Sequence, residues 1–253
     1  MGAAEPDPVE REARRQLAAC YRLFDWHGWA EGIYNHITLR LPDAPGDGAP
    51  RFLINPYGLH YAEVTPDNLV AIDLDGRAEP GAAHPVNAAG FVIHAAVHAA
   101  RPDAHCVMHV HTTPVMAVAC KAEGLRHDNF YSAQFAGRVG YHDFEGITTR
   151  PDEGARLVQS LGDHPVLLLR NHGVLVAGRT LPETYARLWM FQRACEVQCA
   201  SDGLRGPNQP IAAEVLAGME RDVAPMRPGG AQPGAMLFAA MVRRAGVTFS
   251  TTP

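Results

Sequence analysis

Apolar positions along this chain change period repeatedly, and each change predicts an element boundary. Between Val9 and Gly28 they fall at Leu17, Cys20, Tyr21 and Phe24, a helical spacing that Gly28 ends. "YNHITLRLP" and "RFLINPYGL" then alternate as two strands do, separated by the turn-rich "DAPGDGAP". "NLVAIDLDGRAEPG" reads as a third strand that closes in an Asp-Gly turn. The Ala-rich run from Asn87 to Ala100 predicts a helix, and Arg101-Pro102 stops it.

"HCVMHVHTTP", from His105 to Pro114, follows as a strand, with Thr113 read as a helix N-cap and Pro114 as the first helical residue. "FYSAQFAGRVGYHDFEGI" reads as mostly strand and loop, and Pro151 opens a helix to about Leu161. "HPVLLLRNHGVLVAG" is an apolar run interrupted at Arg170-Asn171-His172-Gly173, the pattern of a hairpin. A long helix is expected from about Leu181 to Ala200, then two short ones. Strands and helices mix without regular alternation, which predicts helices covering a largely antiparallel sheet. The division expected is one domain over residues 1–205 and a C-terminal extension over 206–253.

Composition narrows the function classes. A chain of 253 residues with 47% hydrophobic and 19% charged residues is an ordinary globular protein. Its net charge of −5, with a basic cluster only at Arg11, Arg14 and Arg15, argues against nucleic-acid binding. No apolar run reaches the roughly 18 residues a membrane helix needs. The start is acidic and Pro-bearing, without a signal peptide's apolar core, and Pro6 stands where a myristoylation signal wants Ser or Thr. The expected location is the cytoplasm. Five irregularly spaced cysteines read as free thiols, Cys195 and Cys199 included. No Gly-rich phosphate loop is present.

The chemistry lies in the histidines. On a strand, His105, Val107, His109 and His111 share one face, so two imidazoles can reach one ion. They sit at the strand's end, just before a helix start, where ligands tend to bind. His172, in a turn between two apolar strands, has no packing role and is the third candidate. His94 and His98 form a rival pair, but Ala95 stands where a zinc-protease helix has Glu, so they read as helix-face residues. His27, His36, His60, His84, His127 and His164 stand singly and read as solvated or hydrogen-bonded.

Six blocks in order, "YNHITLR", "FLINPYGLHYAEVT", "VNAAGFVIHAAVHAARPD", "CVMHVHT", "GYHDFEGI" and "LLLRNHGVLVAG", resemble the class II aldolase/adducin family. Their wording is similar to the adducin head and its bacterial relatives more than to the sugar-phosphate aldolases. The resemblance implies a three-layer α/β/α class II aldolase-like fold, usually a homotetramer. It also implies one divalent metal per subunit on His109, His111 and His172, zinc first and Fe2+ or Mn2+ behind it. Three imidazoles with an open position make a catalytic-type site.

The chain also departs from the aldolases. Their Ser-Ser-Glu falls here on Ala88, Ala89 and Gly90, so the proton-transferring carboxylate is missing from its usual place. The substrate-binding Thr-Gly reads Tyr57-Gly58, while Asn35 is retained. A phosphorylated sugar is therefore a poor fit. Tyr131, Tyr141, His142, Asp143 and Glu145 are the remaining acid/base candidates, with Tyr131 and His142 taken as the catalytic pair. The resemblance leaves three classes: a lyase acting on a small unphosphorylated hydroxy or keto compound by aldol cleavage or decarboxylation; a non-catalytic adducin-like binding protein; and a non-heme iron oxygenase. The lyase is preferred.

Overall fold

Asp7 accepts hydrogen bonds from the Val9 and Glu10 amides, Pro8 takes the first helical position, and Gly28 closes the last turn with φ 71°. These three residues fix α1 at Pro8–His27, as the period predicts. The computed structural model describes residues 7–42, 50–147, 151–223 and 232–249. The turn-rich stretch expected at 43–50 lies, except for residue 50, outside the described residues, as do Pro6 and most of the "MRPGG" loop.

Seven strands form one sheet: β1 (His36–Arg40), β2 (Phe52–Ile54), β3 (Val70–Ile72), β4 (Cys106–Val110), β5 (Val139–His142), β6 (Val166–Leu169) and β7 (Gly173–Gly178). Their order is β3-β2-β1-β4-β7-β6-β5, and every neighbouring pair is antiparallel except β5 with β6. Expectation and structure agree on a largely antiparallel sheet.

The alternation along β4 divides the two core layers. Cys106, Met108 and Val110 face a core shared with α1, α3 (Thr113–Ala119), α6 (Leu181–Asp202) and α8 (Ala235–Arg244). Val107 faces the opposite way, onto Ile93 and Val97 of α2 (Ala88–Ala100) and Leu157 and Leu161 of α5 (Pro151–Leu161). Two helical layers thus sandwich the sheet, and each fully buried Leu or Phe contributes about 1.5–3 kcal/mol. α8 joins the first core: Phe238 packs edge-on to Tyr185, and a Cβ on Gly234 would overlap the Pro182 carbonyl oxygen. α7 (Ala213–Val223) lies more exposed. Among the described residues no helix is long and apolar enough to cross a membrane.

Local chemistry explains where the elements differ from the period. β2 stops at Ile54 because Pro56 has no N–H for a ladder, and a 3-10 turn over Tyr61–Glu63 follows, boxed by His60 and Glu63. The α3 N-cap is Thr112, one residue earlier than expected; its hydroxyl donates to Gln192 Oε1 at 2.6 Å instead of capping. The segment read as strand and loop contains a short helix, α4 (Phe130–Ala133). It forms because Asn129 accepts from the Tyr131 and Ser132 amides.

Candidate metal centre

β4 and β7 run antiparallel with His109 opposite Leu175, and the β6–β7 turn folds back over the end of β4. His109 is the second-last residue of β4, and His111 follows just beyond the strand. His172 hangs from the turn, which reverses through Asn171 at φ 57°, a left-handed conformation that Asn tolerates better than most residues. The Asn171 amide donates to the Ala119 carbonyl at 3.1 Å, tying the turn to α3. Gly173 has no room for a side chain: a Cβ would overlap the Val110 carbonyl oxygen and come within 2.8 Å of His111 Cδ2.

The result is a near-equilateral trio of imidazoles. Ring centroids lie 4.5 Å apart for His109–His111, 4.8 Å for His109–His172 and 4.7 Å for His111–His172. One ring nitrogen from each falls within 4.8 Å of the others. His109 Nδ1 is 2.9 Å from the Val174 carbonyl, which can only accept, so Nδ1 carries the proton and Nε2 presents a lone pair. Such a carbonyl partner is how proteins orient a metal-binding histidine. His111 Nε2 meets that lone pair at 2.6 Å. Burial, with His111 and other neighbouring histidines, pushes His109 well below its ordinary range; burial and His172 bring His111 down to about 4; burial lowers His172. At neutral pH all three are therefore uncharged donors, the form a metal requires. Uncharged imidazoles with one tautomer locked fit a divalent metal ion.

The other residues singled out in the sequence fall in three places. His142 is buried at the end of β5; Ser160 Oγ lies 2.9 Å from its Nδ1, while Nε2 has no hydrogen-bond partner among the described residues and stands 3.7 Å from Glu145. It lines a cleft of about 10 Å³, the size of one water, together with His172, Phe144, Glu145, Glu153 and Arg170. Asn35 is buried beside β1, its Nδ2 donating to the Trp29 carbonyl at 2.8 Å and its Oδ1 unpartnered among the described residues. Gly58 is exposed in the turn after β2 at φ 99°, with open space where a side chain would be. Tyr131, on α4, packs edge-on to Trp189 and under the Arg193 guanidinium, so the fold sets it against α6 rather than in the trio.

The sequence pattern described as "Class II Aldolase and Adducin N-terminal domain" matches residues 15–199. The chain belongs to this family. A crystal structure of an aldolase II superfamily protein from Pseudomonas syringae superposes with a TM-score of 0.85 at 37% identity, covering 95% of this chain and 94% of that one. Alpha-adducin of Rattus norvegicus is 38% identical over 230 residues, which are 88% of this chain but 30% of adducin. L-fuculose 1-phosphate aldolase from Glaciozyma antarctica shares the fold with a TM-score of 0.80 at 24% identity, over 97% of this chain and 92% of that one.

In this chain the space beside Gly90 is filled by His36 of β1. A Cβ at Gly90 would overlap His36 Cδ2 and Nε2 and stand 2.8 Å from Cγ. His36 packs on His109, with centroids 5.0 Å apart, and feels His111 and His172 as well. Its Nδ1 meets His94 Nε2 at 2.8 Å; Thr38 Oγ1 joins His94 Nδ1 at 2.6 Å to His98 Nε2 at 2.7 Å; and His98 Nδ1 reaches the Ala104 carbonyl at 2.7 Å. Reading His94 and His98 as plain helix-face residues, and His36 as a lone one, missed this row. The available signal was two polar pairs, His36/Thr38 at strand spacing on β1 and His94/His98 at helix spacing on the otherwise apolar α2.

Proposed function

We propose that this protein is a divalent-metal-dependent lyase that cleaves a carbon–carbon bond next to a carbonyl, by aldol cleavage or decarboxylation, in a small unphosphorylated hydroxy or keto compound. The observation that carries this reading is the trio His109, His111 and His172, uncharged and convergent, with His109 held in one tautomer by Val174. Zinc is the first choice for the ion, with Fe2+ or Mn2+ as alternatives, and when bound it supplies Lewis acidity toward a carbonyl or hydroxyl oxygen.

The chain's own residues divide the remaining work. His36 fills the Gly90 space, so a carboxylate cannot act from there. His142 Nε2, unpartnered in a cleft shared with His172, is positioned to hold or move the reaction's proton. Tyr131 is a second catalytic candidate on the resemblance alone, since in this chain it packs against Trp189 and Arg193 of α6. Asn35, with a buried unpartnered Oδ1, and Gly58, in an open left-handed turn, are the assigned substrate contacts. A homotetramer in the cytoplasm is the assembly and location we assign.

The Gly90–His36 pairing and the 38% identity with alpha-adducin favour a second reading, a non-catalytic oligomeric binding protein that keeps its metal. Incubating the zinc-loaded protein with a panel of 2-hydroxy and 2-keto acids separates the two. The lyase releases aldehyde or carbon dioxide, and the His142→Ala variant loses the activity. A metal-loaded wild type that turns over no member of the panel supports the binding protein. Oxygen consumption in the presence of iron(II) would point to an oxygenase.

A further inference from the structure

The row behind the trio has a direction, and elementary hydrogen-bond accounting supplies it. The Ala104 carbonyl can only accept, so the 2.7 Å contact places a proton on His98 Nδ1. A neutral His98 then has a bare Nε2, which must accept from the Thr38 hydroxyl. Having given its one proton, Thr38 Oγ1 accepts from His94 Nδ1–H. His94 Nε2 is therefore bare and accepts from His36 Nδ1–H. The last member, His36, is left with an unprotonated Nε2 beside Gly90 and the trio.

We infer that His36 Nε2 is a fixed hydrogen-bond acceptor in the wall of the metal pocket, set by the Ala104 carbonyl through His98, Thr38 and His94, and that it receives the hydroxyl of a bound 2-hydroxy acid. The use assigned to this acceptor rests on the metal-site reading; the direction of the row does not. Thr38, His94 and His98 are positioning residues, and a backbone carbonyl outside the pocket determines whether the pocket wall accepts or donates.

One observation supports the direction, and a second supports the place of the ring. His98 is buried, its two ring nitrogens meet only the Thr38 hydroxyl and the Ala104 carbonyl, and burial holds it down to about 4. A neutral His98 starts the sequence, and each following contact takes one donor and one acceptor. Gly90 is equally necessary, because any side chain there would displace the His36 edge that bears the lone pair.

Neutron diffraction from deuterium-exchanged crystals of the metal-free protein reads the row directly. Deuterium is expected on Nδ1 of His98, His94 and His36 and not on His36 Nε2; density on His36 Nε2 overturns the inference without any variant. The near-isosteric Thr38→Val variant removes the hinge of the row. His94 then moves its proton to Nε2, and His36 in turn carries deuterium on Nε2 rather than Nδ1, whereas Thr38→Ser keeps the wild-type pattern. An unchanged His36 in a folded Thr38→Val protein overturns the inference. Calorimetry on zinc-loaded protein tests the use: Thr38→Val should weaken glycolate about fivefold, one hydrogen bond's worth, and leave acetate unchanged. Equal effects on both acids, or none on either, overturn the acceptor role. Failure of the wild type to take up zinc would sink the metal reading instead, with the neutron result still standing.

Discussion

Two groups of histidines lie ring to ring across β1 and β4, and they solve opposite problems. In the row from His98 to His36, ring nitrogens are taken up in turn by Thr38, by each other and by the Ala104 carbonyl. In the trio, one nitrogen of His109 is fixed to Val174 and three rings then turn donors into one space. Burial lowers the proton affinity of both groups, so charge does not separate them. The difference lies in where the lone pairs go. A chain satisfied at every ring nitrogen but His36 Nε2 has a direction; a convergent set is a site for an ion.

Forcing the two groups to compete gives the largest stability effect. Gly90→Glu places a side chain in the volume of His36, and overpacking of this kind costs about 3 kcal/mol. Urea unfolding checks it, and adding His36→Ala should recover part of the loss because the two positions share one space. A Gly90→Glu protein as stable as wild type would mean the His36 ring is not held there.

Acid provides a second test. His98 is buried and its folded value, about 4, is below the ordinary 6.5. For a group depressed on folding, the stability it contributes is complete above the unfolded value and is lost as pH falls toward the folded one. The metal-free protein should therefore lose about 2 kcal/mol through His98 between pH 6.5 and 5, at 1.36 kcal/mol per unit. His98→Gln should flatten that part of the profile. The smallest effect separates the trio's scaffold from its ligands: Asn171→Ala, forced into φ 57°, should cost about 1 kcal/mol, while Asn171→Gly is close to neutral.

The trio was legible in the sequence and the row was not, for a physical reason. His109 and His111 declare themselves through a two-residue period at a strand's end, and His172 interrupts a run of apolar residues where packing gives it nothing to do. The row depends on α2 crossing β1, which brings together residues 56 to 60 positions apart that no local period connects. The resemblance to the aldolases marked Gly90 as a departure, but nothing local showed it as room for His36. The sheet and its two helical layers followed from alternation and from helix stops such as Gly28 and Arg101-Pro102. α4 escaped because four residues are too few to show a period, and the Asn129 cap alone determines it.

Three convergent, uncharged histidines form the proposed site of a divalent ion. Its most direct test is elemental analysis of chelator-stripped protein reloaded with zinc and passed through a desalting column. The account predicts close to one zinc per chain for the wild type and close to none for a folded His109→Ala variant. A folded wild type that retains no zinc, iron or manganese, or a His109→Ala protein that retains the full complement, would contradict it.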